Sequence, residues 1–283
     1  MFLCPKEKVR WKIVRNREGM SRFSISIIVP VFNESVLIRG FLEQVRAVVP
    51  EAEIIVVDGG SDDGTIDLCA GLANRVLKSP MGRACQMNAG GQIAGGDVFW
   101  FLHADSTIPL DAPSTLQQFF ENDSNIGGCF RLRFSSRKWI YRISDSLGNI
   151  GVEVFGFALG DHGIFCRRDA FFRAGGFPDI PLMEDAEFYR VLRRYGRMRQ
   201  LKSAIIANPR KYEQLGPYRT TIYYTVILAL YCVRARMSML LAVYRRLKRN
   251  RRRLTGSHSA SHVGSDSPEV FRPSTTVPSG LRQ

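Results

Sequence analysis

Between Glu53 and Thr65 the chain reads EIIVVDGGSDDGT, and no other stretch limits its fold so sharply. Four apolar, β-branched residues, Ile54 to Val57, stop at Asp58, and glycines, a serine and two more acids follow. A short apolar run closed by turn residues is the pattern of a strand buried on both faces of a parallel sheet. Open α/β sheets bind ligands beyond the carboxyl ends of such strands, which puts Asp58 at the rim of a site. Glycines such as Gly60 let the backbone come close to whatever lies there. Taken alone, the stretch reads better as an acidic surface turn.

Two further apolar runs end in the same manner. SISIIVPV, residues 24–31, gives way to Phe32, Asn33 and Glu34, and DVFWFL, residues 97–102, closes on His103-Ala104-Asp105. Between them, helical spacing of Leu37, Phe41, Val45 and Val48 predicts a helix up to Pro50. A second helix is expected over 65–73, a short strand over 75–77, and a third helix over 82–94. Strand, helix, strand, helix, strand is the alternation of a doubly wound α/β domain with right-handed crossovers. The second half is less regular. Helices are expected over 109–120, 139–150, 168–174 and 184–195, strands over 128–134, 163–166 and 201–207, and a turn over 175–178.

The formal charge of +14 suggests a polyanion partner until it is located. Residues 245–283 carry a net +7 and residues 1–20 a net +4, which leaves only +3 for residues 21–244. The core is therefore not a nucleic-acid surface, and the basic tail lacks the interleaved aromatics that stack on bases. Six scattered cysteines, with no C-x-x-C pair, suit reduced thiols in a cytoplasmic protein. The first twenty residues are basic and lack an apolar core, so no secretory leader is expected.

Residues 221–233 are apolar and aromatic, and Arg234 and Arg236 interrupt the run. Thirteen residues fall short of the roughly 20 that a spanning helix needs. An interfacial or packed helical segment over 216–246 is expected instead. The polybasic RRLKRNRRR block, 245–253, begins at its end. A basic run beside an apolar helix favours an anionic surface, here the inner face of a cell membrane through 221–253; a solvated basic tail after a core-packing helix accounts for the pattern equally. Four zones follow: a basic extension 1–21, a domain 22–215, the apolar segment 216–246, and a basic disordered tail 247–283.

Three acid-bearing strand ends converge, yet there is no G-x-x-x-x-G-K-[ST] and no G-x-G-x-x-G after the first strand. An acidic rim without those glycine signatures suits a nucleotide diphosphate held through a hard divalent cation, Mn2+ or Mg2+. PVFNE, VVDGGSDDGT and the strand ending in Asp105 resemble family 2 glycosyltransferases with the GT-A fold, over about residues 24–215. The resemblance implies a Rossmann-like, mostly parallel sheet flanked by helices. It implies that Asp58 contacts the nucleotide base, and that Pro30, Phe32, Asn33, Glu34 and Gly60 cradle the nucleoside. The family's D-x-D motif stands here as His103-Ala104-Asp105, with the metal-binding last Asp retained as Asp105 and His103 where an Asp would touch ribose.

The family's E-D pair matches Glu184-Asp185, which makes Asp185 the general base that takes the acceptor's proton, with Glu184 beside it. By the same resemblance, Arg83 and Asn88 in GRACQMNAGG face the nucleotide or diphosphate, with Arg suited to a phosphate fork. Asp161 and His162 in GDHG contact sugar or acceptor, and Arg210 touches diphosphate. The Q-x-x-R-W motif of processive relatives is absent. LHAD, GRA-x-QMN and GDHG are most similar to a small bacterial subfamily labelled arsenosugar-biosynthesis or diaponeurosporenoate-type glycosyltransferase. The implied activity is metal-dependent inverting transfer of a hexose from a UDP- or GDP-sugar to a small or lipid-like acceptor. A noncatalytic nucleotide-sugar-binding scaffold is the alternative.

Overall fold

The computed structural model describes residues 23–255; the basic 1–21 extension and the tail beyond 255 lie outside the described residues. Strand β1 (Ile25–Val31) leads to helix α1 (Ile38–Val48), then β2 (Glu53–Asp58), β3 (Arg75–Lys78), α2 (Arg83–Ile93) and β4 (Val98–Phe101). A two-residue strand β5 (Ser106–Thr107), α3 (Ala112–Phe120), β6 (Asn125–Phe134), α4 (Trp139–Ile150) and β7 (Phe165–Arg167) come next. Then follow α5 (Arg168–Ala174), α6 (Glu184–Leu192), β8 (Arg197–Ala207), α7 (Arg210–Leu215), α8 (Pro217–Cys232) and α9 (Met237–Thr255).

The eight strands form one sheet in the order β3-β2-β1-β4-β7-β6-β8-β5. The first four run parallel, in the expected doubly wound pattern. Beyond β4 the expectation of a mostly parallel sheet fails. Strand β7 lies antiparallel to both β4 and β6, and β5 lies antiparallel to β8, so the sheet is mixed. Parallel pairing returns only between β6 and β8; the short strands β7 and β5 enter against the direction of their neighbours, and an antiparallel pair needs no right-handed helical crossover to complete its ladder.

Strands β1, β2 and β4 are buried on both faces, which is why they read as predominantly apolar runs, whereas the parallel edge strand β3 is largely exposed. Ile27, Val29, Ile54, Val56, Val98 and Trp100 face one core, with Ile38, Phe41, Leu42 and Val45 of α1. Ile28, Ile55, Val57, Phe99 and Phe101 face the other, with Ala84 and Met87 of α2. Each such side chain contributes about 1.5–3 kcal/mol on burial. Gly90 lets α2 press onto the sheet: a Cβ there would stand 3.1 Å from Val57 Cγ2, and closer still to Ile28.

The helix expected over 65–73 shrinks to one 3-10 turn at Asp67–Cys69. Gly64 and Gly71, both in positive φ, bound the segment, and a nucleus this short does not propagate. The apolar segment expected over 216–246 is not one element. It divides into α8 and α9 at Val233–Arg236, where Arg234 takes φ 57°. Helix α9 also runs through the tail boundary expected at 247. Among the described residues no helix is long and apolar enough to cross a membrane.

Candidate active site

The loops after β1 and β2 are tied to each other. Asn33, in the left-handed region at φ 52°, receives from the Asp62 N–H at its Oδ1, and its own N–H donates to Ser61 Oγ. The Glu34 N–H donates to Thr65 Oγ1 and the Ser35 N–H to Asp63. Thr65 and Ser35 together hold the Asp63 carboxyl well below the usual carboxylate range. Asp58 is fully buried: its oxygens accept from the Gly60 and Ser61 N–H groups and the Ser61 hydroxyl. It shapes the acidic loop, and Gly60 at φ +97° makes the bend. Glu34 is bridged at 2.9 Å by Arg210 from the start of α7. Phe32 and Val36 carry the exposed apolar side chains of the loop after β1.

Facing this rim is an acid cluster built by α6. Its first turn carries Glu184, Asp185 and Glu187, where the helix dipole favours negative charge. Glu184 Oε1 lies 2.7 Å from Arg83 Nε, at the first residue of α2. Asp185, only 4% exposed, accepts the Gly160 N–H at Oδ2 over 3.0 Å. Its Oδ1 is buried and has no partner among the described residues. Burial pushes the Asp185 carboxyl up to about 7; Arg83 and the Gly160 bond pull it down, and Glu184 and Asp161 push it further up. The same three acids hold the Arg83 guanidinium charged.

Gly160 stands between the His103 and Asp185 side chains. A Cβ there would collide with the His103 ring and lie 2.7 Å from Asp185 Oδ2. The end of β4 and the first turn of α6, some 80 residues apart in sequence, thus meet across one glycine. Asp105 lies two residues past His103. It lines a cavity of about 410 Å³ with Phe41, Gln44, Thr107, Ser135 and Asn208, and its carbonyl accepts the Asn208 N–H.

The fold therefore gathers His103, Asp161, Glu184, Asp185 and Arg83, with Asp105 next to His103 and the Asn33–Glu34 and Asp58–Gly60 loops at the same end of the sheet. Three expected ligand contacts point elsewhere. Pro30 is buried within β1, in register with Val57. The Asn88 amide is engaged with Phe177, giving a bond to its carbonyl and taking one from its N–H, each at 2.8 Å. His162 is wholly buried: the short turn Gly160–His162 rotates its ring inward against Gly148. Desolvation lowers its pKa to about 4, so it is a neutral structural side chain. Sequence reasoning singled out Asp161 and His162 and passed over Gly160; the two glycines framing GDHG were the available signal.

A divalent cation fits only in part on protein ligands. Among the described residues no three His, Cys, Asp or Glu side chains gather as a metal site. Asp105 supplies a carboxylate at the strand end, and the buried Asp185 Oδ1 has no hydrogen-bond partner among the described residues. Hard cations of this class complete their shells with phosphate oxygens, so a donor diphosphate would have to supply the remainder.

A family model described as glycosyl transferase family 2 matches residues 26–178. The curated relatives include undecaprenyl-phosphate 4-deoxy-4-formamido-L-arabinose transferase of Aeromonas hydrophila, 26% identical over 157 residues, covering 50% of this chain and 48% of that protein. Poly-beta-1,6-N-acetyl-D-glucosamine synthase of Staphylococcus aureus is 30% identical over 110 residues, covering 36% and 27%. The chain thus spans about half the length of the first of these, or less. They are of other kinds than the small bacterial subfamily expected from LHAD and GDHG. Among solved structures, a mannosyltransferase of Pyrobaculum calidifontis in complex with GDP-Man and Mn2+ aligns with TM-score 0.57 and 20% identity, over 85% of this chain and 73% of that one. Glucosyl-3-phosphoglycerate synthase of Mycobacterium tuberculosis, in complex with Mn2+, UDP and product, aligns with TM-score 0.55 and 16% identity, over 76% and 81%. At these identities the likeness shows the α/β fold.

Proposed function

The chain belongs to glycosyl transferase family 2, and on that premise we propose that it transfers a hexose from a UDP- or GDP-sugar, with inversion, to a hydroxyl of a small or lipid-like acceptor. The observation that carries this reading is Asp185: an enclosed carboxylate with a free oxygen, held by the Gly160 N–H beside the end of β4. A carboxyl titrating near 7 is matched to taking a proton at neutral pH.

In this mechanism the acceptor hydroxyl donates its proton to Asp185 Oδ1. The oxygen so freed attacks the anomeric carbon, and the bond from that carbon to the diphosphate breaks. The nucleoside diphosphate leaves with the bonding electron pair. Glu184 fixes Arg83 at the mouth of the acid cluster, where its guanidinium meets the leaving charge. His103 contacts the ribose or a phosphate oxygen. The Asn33–Glu34 and Asp58–Gly60 loops, tied together and to Arg210, form the shelf for the nucleoside, with Phe32 on its exposed side. Asp105 would hold Mn2+ or Mg2+ together with the diphosphate, and the chemistry a bound cation supplies is neutralisation of the leaving group. Both structural neighbours named above were crystallised with Mn2+, and the Aeromonas relative is named for a lipid-phosphate substrate.

A panel of UDP- and GDP-sugars, assayed for metal-dependent release of free nucleotide with membrane lipid extract as acceptor, tests the reading. Asp185→Asn is expected to lower transfer by about 10²–10⁴-fold while a nucleotide with Mn2+ still raises the melting temperature. No stabilisation by any nucleotide with metal would end it. An acceptor already ionised, a phosphate or carboxylate, would leave Asp185→Asn nearly active and so reassign the acceptor class.

A further inference from the structure

The exposed apolar side chains of the second half are not scattered. On α4 and the turn that continues it, Trp139, Ile143, Ile150 and Val154 recur at helical spacing and are 41–69% exposed. On α8, Tyr218, Ile222, Val226 and Val233 do the same at 41–74%. Both helices bury their other faces in the protein: Ile140, Tyr141 and Gly148 from α4, and Thr220, Thr221, Ile227 and Tyr231 from α8. Single exposed apolar residues are ordinary, whereas an apolar stripe on the outer face of two neighbouring helices marks an interaction surface.

The two stripes adjoin. The Trp139 and Tyr218 rings lie 5.8 Å apart, Ser144 Oγ is 3.1 Å from Thr221 Oγ1, and Phe157, just past α4, meets Tyr231 at 5.1 Å. These pairs advance together along both helices, so α4 and α8 run side by side in the same direction. The strip is about 22 Å long at 1.5 Å per residue.

Charge selects the occupant. Arg137, exposed, flanks the Trp139 end, and Arg234 and Arg236, both exposed, flank the Val233 end. From Gln214 to Thr255 the chain contains no Asp or Glu and ten Arg or Lys. The nearby acids are already neutralised: Asp145 by Arg142, Glu153 by Arg131 and Glu213 by Lys138. An apolar strip with an aromatic pair at one end and cations at both ends matches an acyl boundary beneath anionic headgroups. A second copy of the chain would bring these cations against themselves.

We propose that the α4–α8 face is a bilayer-docking surface that lays the protein on an anionic membrane, with Trp139, Ile143, Tyr218, Ile222 and Val226 entering the headgroup–acyl boundary. Helix α8 also packs on Met183 and Ala186, the residues that bracket Glu184 and Asp185, so docking holds the acid cluster close to the lipid surface. The inference goes beyond the sugar-transfer reading and stands or falls separately from it.

Flotation of the full chain with vesicles of phosphatidylcholine and phosphatidylglycerol, against vesicles of phosphatidylcholine alone, tests it. The wild type should float with the anionic vesicles, less so at raised ionic strength, and Trp139 emission should shift to the blue, a change absent from Trp139→Phe. Ile143→Glu with Ile222→Glu should weaken binding roughly tenfold or more. Val76→Glu, an exposed site at the opposite edge of the sheet, should bind as wild type, and unchanged melting temperatures show that all variants are folded. A wild type that ignores anionic vesicles overturns the proposal. So does a double variant that binds as tightly as wild type, which would leave the attraction to the basic tail. A concentration-dependent dimer lost in the double variant, without vesicle binding, would make this face an interface between copies and overturns it as well.

Discussion

Arg83 Nε and Glu184 Oε1 meet at 2.7 Å, joining a guanidinium that is 49% exposed to a carboxylate that is 5% exposed. Solvent reaches one partner, so the pair is a weak contributor to stability as such. Its importance lies in what stands next to it. Asp185 follows Glu184 in the first turn of α6, Asp161 faces the same arginine, and all three acids act on its charge. Arg83 is the cation that lets this acidic turn stay enclosed.

The pH dependence of transfer follows from that arrangement. As the proposed base, Asp185 would act only when deprotonated, and burial raises its pKa to about 7. For a hydroxyl acceptor, kcat/KM should therefore rise with pH through a limb near 7 and level off above it. Arg83 pulls that pKa down, so Arg83→Met should move the limb to higher pH. An unmoved limb would show that another group controls it.

Stability should show two opposed slopes. Between about 4 and 6.5 the unfolded chain protonates the histidine at position 162 while the folded one does not, so this group makes stability rise with pH. Between about 4 and 7 the folded chain keeps a proton on Asp185 that the unfolded chain has lost, so this group makes stability fall with pH. In the wild type they offset one another from about 4 to 6.5. Asp185→Asn should uncover the rising slope and His162→Phe the falling one, both read by denaturant unfolding across that range.

Gly160→Ala tests the meeting of His103 and Asp185. The added methyl would collide with the His103 ring and approach Asp185 Oδ2 to 2.7 Å, and the side chains must part. Misplacement of a base by such an amount costs on the order of 10²-fold in rate. The expected result is a fall in kcat with the nucleotide-induced rise in melting temperature retained. Wild-type kcat would show that the two groups need not be so close.

Asn88 is assigned to the fold by its contacts, against the sequence expectation. Asn88→Ala removes both bonds to Phe177 and leaves that peptide's polar groups short of partners, at a cost of about 1–3 kcal/mol. Nucleotide affinity at a permissive temperature should be unchanged. A selective loss of that affinity, with stability intact, would return Asn88 to the ligand.

Much of this protein was legible in order along the chain. The predominantly apolar runs at 24–31, 54–57 and 97–102 announced strands buried on both faces, because few polar side chains interrupt them. Their acidic or glycine-rich ends located one rim of the site. Asp185 was singled out by its match to the family's E-D pair, since an acidic first turn by itself reads as an ordinary helix start. His162 and Asn88 misled for a common reason. Whether a polar side chain in a short turn or on a helix faces a cleft or a core depends on what packs against it, and its neighbours, Gly148 and Phe177, lie 14 and 89 residues away. The helix lost at 65–73 failed through glycines in positive φ, a backbone property that helical spacing does not register.

By itself the sequence determined the parallel half of the sheet, the sites of its loops and the chemical type of the groups at the strand ends, since strand burial and turn chemistry are set by adjacent residues. The tertiary structure alone decided that the Asn33 loop ties to the Ser61–Asp62 loop, that Gly160 joins His103 to Asp185, and that α4 and α8 form one apolar face. Each of these depends on contacts between segments distant along the chain, and only packing fixes which of them meet.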